Sequence, residues 1–558
     1  MKDLLWVVCF SVFSANISET SLAKTSQAFQ EEQILRVSNG AEPKDLDPGI
    51  ATGIPEGHII DTLFQGLTDV GPFSPDPIPG MAESWTISPD GLTYIFKIRK
   101  DAKWSDGQAL TADDFVFSWR RALDPKTASE YAYQLYYIKN GEAFNKGQIK
   151  DANQLGVHAK DALTLEVVLE HPTPYFLQLT SFMTLYPVPK HVLAKYSGSE
   201  WTKENRLVSN GAFKLAEYRL HQHIKLVKNE HFWDKASIKP ETIYIYPIEN
   251  KYTEEKTFVS GKIHLTSTVP AMRLPYYESQ ARENTSDHKP LKVEPLFGTY
   301  YYRFNTSKKP LNDPRVRRAL TLTVDRKEIV DKIVRGGKVP ASSFTPPLGT
   351  FDFRGSIPTH VTDADLQEAK TLLAQAGYPE GKNMPKLNIL YDTDEDNKRI
   401  AIAIQDMWHK HLGIKVGIYN EEWKVYLESL RQLNFDIARS RWIGDYADPN
   451  TFLDLMVTNG GNNNTAWSNK TYDETIKQAS VSQNTIERGS LFKKAEDILM
   501  KEVPVLPVFY YTNPHLLSPD LKLFNPQTGE ISEWKSDPMD RWFLRYCVLL
   551  KSNKREAS

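Results

Sequence analysis

Between residues 386 and 443 the spacing of apolar residues changes period four times. Residues 386–391 alternate like a strand, and 397–412 carry apolar residues at helical spacing until Gly413 stops them. Residues 414–418 alternate again, 422–432 return to the helical period, and 435–443 form a third alternating run. Such a βαβαβ order predicts parallel strands with right-handed crossovers. Ligands of open parallel sheets bind beyond the carboxyl ends of the strands. Asp445 stands immediately past the end of the third run, in a Gly444-Asp445-Tyr446 turn, and Asn397 follows the first run onto the same edge. An acid among aromatic rings on such an edge suits a cationic ligand group. The competing reading is a surface-turn acid paired with its own neighbours Arg439 and Arg441.

Other stretches read as an antiparallel module with a helix against it. Residues 82–85 lead through the turn 88–91 into an alternating run at 93–100, which predicts a hairpin. Thr111 caps a helix whose apolar face is Phe115, Val116, Trp119, Ala122 and Leu123, and 163–169 is a further strand. Short strands are expected at 35–38, after the turn at 208–213, and at 224–228, with loop chemistry at 45–55. Residues 298–305 form an aromatic strand, and 503–511 a buried strand or a crossover between domains.

Composition narrows the function. The 558 residues suggest about three domains. A formal charge of -2 gives no reason to expect a nucleic-acid partner. The supply of 26 tyrosines and 12 tryptophans suits contact with polar organic ligands. Lys2, the apolar run 4–15 and Ser21-Leu22-Ala23 read as a cleavable signal peptide, residues 1–23, without lipidation at Cys9, since Trp6 and Val8 do not fit that pattern. Export would leave Cys547 as the one cysteine and exclude an internal disulfide. His221 and His223 alternate on a strand without a third ligand nearby and read as a solvated face, so no metal and no cofactor is expected. Zinc, nucleophile-elbow and phosphate-loop motifs are absent, and no catalytic residue is assigned. A pairing of Glu422 with Asp445 in a glycosidase cleft has no specific spacing in its favour.

The segments AESWTISPDGLTYIFKIRKDAKWSDG (82–107), LTADDFVFSWRRALDP (110–125), VSNGAFKL (208–215), GTYYYRFN (298–305), LNDPRVRRAL (311–320), EEWKVYL (421–427) and RWIGDYADPNTFL (441–453) resemble the bacterial peptide-binding proteins that serve ABC importers. The likeness spans nearly the whole chain after residue 23 and is nearest to the oligopeptide-binding and murein-tripeptide-binding types. It implies an α/β fold of three domains, two lobes around a cleft and an extra antiparallel-sheet domain. Domain I would comprise 24–64, 190–297 and 513–558, domain II 65–189, and domain III 298–512. The resemblance further implies a periplasmic monomer that binds short peptides and hands them to an inner-membrane permease. A peptide would pair its backbone with residues 53–55, 298–302 and 439–444, and Asp445 would clamp its α-amine. Arg439, Trp442, Gly444, Ile54, Tyr131, Tyr301, Arg303, Asn397 and Trp423 are the other ligand-binding candidates it marks. Thr52, Arg303, Val334, Asn397 and Leu430 depart from charged pocket positions of the oligopeptide type, so the cation for the peptide's carboxylate is unassigned among Arg303, Arg335 and Arg431. The alternatives are an envelope glycosidase or amidase acting on murein, and a peptide-sensing or chaperone role on the same fold.

Overall fold

A computed structural model describes residue 29 and residues 32–550 apart from 284–288, 350 and 461, without the side chains of 75, 281–283, 423 and 424. The expected signal peptide with Cys9, the side chain of Trp423 and the tail from residue 551 lie outside the described residues.

The βαβαβ unit forms as its periodicity predicts. Strand Leu387–Asp392, helix Glu395–Leu412, strand Val416–Glu421, helix Trp423–Arg431 and strand Ile437–Ile443 follow in order. The first strand lies in the middle, parallel to both others. The first helix begins two residues earlier than its apolar period suggests, because the Asp394 carboxylate accepts from the N–H groups of Asp396 and Asn397, both at 2.9 Å. It ends at Gly413, whose φ of +70° is the left-handed stop a Cβ would penalise.

Three antiparallel strands complete this six-stranded sheet. Strand Leu291–Phe304 pairs on one side with Ile437–Ile443 and on the other with Val505–Leu516. The expected strand at 503–511 is therefore longer, running on to Leu516 along the whole of Leu291–Phe304. Between Pro295 and Thr299 the register slips: three residues there, 296–298, face the single residue Tyr511 between Thr512 and Tyr510. Alternation explains the three consecutive tyrosines. Tyr300 and Tyr302 enter one hydrophobic core with Phe304, Ile437 and Trp408, while Tyr301 faces the opposite core with Phe344 and Phe452.

A second sheet orders Ile34–Ser38, Thr242–Tyr246, His223–Lys228 and Phe213–Arg219, with only the first pair parallel. On it His223 faces Glu217 at 3.4 Å, whereas His221 stands in the turn before that strand, not on it, with φ of +58°, and faces Glu42 at 3.6 Å. A third, wholly antiparallel sheet contains Ala82–Ile87, Thr93–Ile98, Thr164–Val168 and Val157–Asp161. Helix Ala112–Leu123 packs against it, its start secured by the Asp114 carboxylate accepting from the Thr111 N–H at 2.8 Å. The fold is thus two α/β bodies with an additional antiparallel one, and a cleft lies where all three meet.

Candidate functional site

Helix Ile54–Leu63 brings the first wall of the cleft. Pro55 stands in its first turn, where its fixed φ fits and its missing N–H costs nothing, so a stretch with loop composition up to residue 55 opens a helix. Thr52, Gly53 and Ile54 line the cleft from this wall. Tyr131 and Phe182, whose rings meet edge to face at 5.4 Å, line it from the antiparallel body. Ile443, Gly444 and Asp445 close the opposite side, and Asp540 and Arg541 also line the cleft. The space between these walls, counted out into open solvent, is about 670 Å³.

Asp445 is half-buried in this space. Its Oδ2 accepts from the Tyr133 hydroxyl at 3.1 Å and from Gln134 Nε2 at 2.8 Å. Among the described residues no cation comes within ion-pairing distance of it. Burial pushes its carboxyl up to about 7, opposed by the Tyr133 hydrogen bond and reinforced by the charge of Asp454. The turn is braced by Thr451, whose hydroxyl accepts from the Asp445 N–H at 3.2 Å and from the Trp442 indole at 3.3 Å. Gly444 donates its N–H to the Phe297 carbonyl at 2.8 Å, and a Cβ there would stand 2.5 Å from Phe297 Cδ1. Phe297 in turn donates its own N–H to the carbonyl of Pro538 at 2.8 Å, one residue before cleft-lining Met539. Further along, Asp448 holds the buried Arg488 through two bonds of 2.6 and 3.0 Å.

Ile54, Tyr131, Gly444 and Asp445 thus come together from three parts of the chain. Other candidates sit elsewhere. Arg439 and Asn397 meet through Asp392, whose Oδ1 accepts from Arg439 Nη1 and from Asn397 Nδ2, each at 3.0 Å. Tyr300 donates to Asn397 Oδ1 at 3.1 Å, and its ring lies 4.9 Å from the Arg439 guanidinium. This buried network occupies the carboxyl edge of the parallel strands but does not line the Asp445 cleft. Tyr301 and Arg303 are interior: Arg303 donates to Tyr301 Oη at 2.9 Å, to Ser440 Oγ at 3.1 Å and to the Asn462 carbonyl at 2.7 Å. A guanidinium so engaged is a bracing group between strands. Arg335 is exposed, and Arg431 is a surface partner of Glu428. Glu422 is not among the residues lining the cleft.

The backbone differs from expectation at one place. Residues 299–302 lie between two strands, so both of their edges are already taken by sheet pairing, and Gly298 is paired with Ile443 on one side. Residues 439–443 differ, because the parallel neighbour pairs only with Ile437 and Ala438. Their outer edge has no strand partner among the described residues and leads directly to Gly444 and Asp445.

Residues 76–464 match the profile of the bacterial extracellular solute-binding proteins, family 5, middle region. The chain belongs to this family. A relative within it, the periplasmic murein peptide-binding protein MppA of Escherichia coli, is 37% identical over 530 residues, covering 94% of this chain and 96% of that protein. The solved Escherichia coli murein tripeptide binding protein aligns with a TM-score of 0.78 at 36% identity, over 94% of this chain and all of the other. Haemophilus influenzae OppA, solved in complex with the peptide RPPGFSPFR, gives a TM-score of 0.76 at 34% identity, over 94% of this chain and all of the other. In this family's terms the two α/β bodies are the lobes and the antiparallel body is the extra domain. The family and these relatives are solute-binding proteins.

Proposed function

We propose that this protein captures short peptides in the cleft and delivers them to the inner-membrane permease of an ABC importer. The observation that carries the reading is Asp445, a half-buried carboxylate supported, among the described residues, by neutral donors alone at the end of a strand edge without a strand partner. A peptide lying along residues 439–443 would add a strand by its backbone and bring its α-amine to Asp445. Backbone pairing ignores side chains, which accords with a broad range of peptides, murein tripeptide among them. In this arrangement segments 24–64, 190–297 and 513–558 form the first lobe, 65–189 the extra domain and 298–512 the second lobe. The protein works as a periplasmic monomer after removal of its leader, and performs no chemistry on the peptide.

The test is mass spectrometry of ligand released from protein purified without denaturant, followed by calorimetry with the identified peptide and its N-acetylated form. Intact peptide and a loss of affinity of at least a hundredfold on acetylation are expected. Recovery of cleavage products, or equal affinity for both forms, overturns the reading.

A further inference from the structure

Asp445 is not the sole carboxylate waiting in the cleft. Asp61, on the last turn of helix Ile54–Leu63, lines the same space, and its side chain retains 28% exposure. Its Oδ1 accepts from the Tyr186 hydroxyl at 2.9 Å, and among the described residues the arginine or lysine paired with it is Arg541, 4.0 Å from Oδ2. That arginine is closer to Asp537, at 3.6 Å. The third aspartate of the cleft, Asp540, is fully engaged: His58 stands 3.4 Å away, and Asn513 Nδ2 and Trp542 Nε1 donate to it at 3.0 and 3.2 Å. The cleft wall therefore carries three aspartates against a single arginine, and two of those aspartates rest on tyrosine or glutamine donors. A carboxylate in enclosed space gains most from a cation brought by the ligand itself.

From this we infer that Asp61 is a specificity-determining residue that receives a second positive group of the ligand, so that peptides whose first residue carries an amine or guanidine side chain are preferred. The inference rests on the peptide-binding reading above: Asp445 takes the α-amine, and Asp61, across on the helix wall, takes the side-chain cation. A lysine, an arginine or a diamino acid at the first position meets this requirement. A neutral side chain of the same length leaves Asp61 with Tyr186 and its long, 4.0 Å pairing with Arg541.

Calorimetry with Lys-Ala-Ala and norleucine-Ala-Ala tests this, because the two peptides differ by one charged group at equal length. In the wild-type protein the lysine peptide is expected to bind at least tenfold more tightly, and in Asp61→Asn the ratio is expected to fall to near one. A wild-type ratio near one overturns the inference even if the variant does not fold. A wild-type preference that Asp61→Asn leaves intact also overturns it, by assigning the selection elsewhere. Failure of the underlying reading looks different, since then neither peptide binds or N-acetylation costs nothing. Asp61→Glu, which retains the charge, should keep the preference for lysine while Asp61→Asn loses it.

Discussion

Peptide binding should switch with mildly acidic pH, and Asp445→Asn should remove the switch. Burial raises the Asp445 carboxyl to about 7 in the empty protein. At pH 5 only about one molecule in a hundred then holds it ionised, since each pH unit below the pKa costs a factor of ten. An α-ammonium brought against it stabilises the carboxylate, so binding must expel the proton. Affinity for a free-amine peptide should thus fall roughly a hundredfold between pH 7.5 and pH 5, or about 2.7 kcal/mol at about 1.36 kcal/mol per unit. Near pH 6 close to one proton should leave per peptide bound. Titration calorimetry in two buffers of different ionisation enthalpy measures both quantities at once. In Asp445→Asn the affinity at pH 7.5 should be lower by roughly 2 to 5 kcal/mol, the range for removing one partner of an enclosed charge pair, and its remaining pH dependence should be nearly flat. Asp454, also raised to about 7 by burial, titrates in the same window, and the variant separates its share from that of Asp445. Wild-type affinity constant from pH 5 to pH 8, with no proton released, would refute the reasoning.

Two further outcomes test the frame around the clamp. Arg488→Met should lower stability by about 3 to 5 kcal/mol in urea unfolding, because it leaves the buried Asp448 carboxylate without its two-bonded partner; a loss below about 1 kcal/mol would contradict that dependence. Gly444→Ala should destabilise by roughly 1 to 3 kcal/mol through the approach of its Cβ to Phe297, and weaken peptide binding as the Asp445 turn shifts; unchanged melting and affinity would show that the ring yields freely.

Local pattern carried the second lobe a long way. The change from a period of two to 3.6 and back is enough to place Asp445 beyond a strand end, and the parallel pairing follows that order. What the pattern does not contain is which distant residue faces which. Tyr133 and Gln134, the donors to Asp445, stand more than 300 residues earlier in the chain. Arg303 reads as an available cation along the chain, yet strand alternation turns it inward onto Tyr301 and Ser440. Asp61 is not legible along the chain because loop composition up to residue 55 hides the helix that follows, and Arg541 stands in a loop at the far end of the chain. Pro55 after Gly53 was the signal for its start, and counting on from it at helical spacing would have put Ile54 and Asp61 on one face.

The slipped register between Pro295 and Thr299 gives Phe297 an unusual station. Its N–H is spent on Pro538 and its carbonyl on Gly444, so one residue is a common datum for two lining segments, the Asp445 turn and the stretch that carries Met539. An error of half an ångström there would reappear at Asp445 and at Met539 together. The gap between them would change less than either position does. The spacing of Asp445 and Met539 is in this sense a differential quantity, less sensitive to drift of the long strands than either position alone.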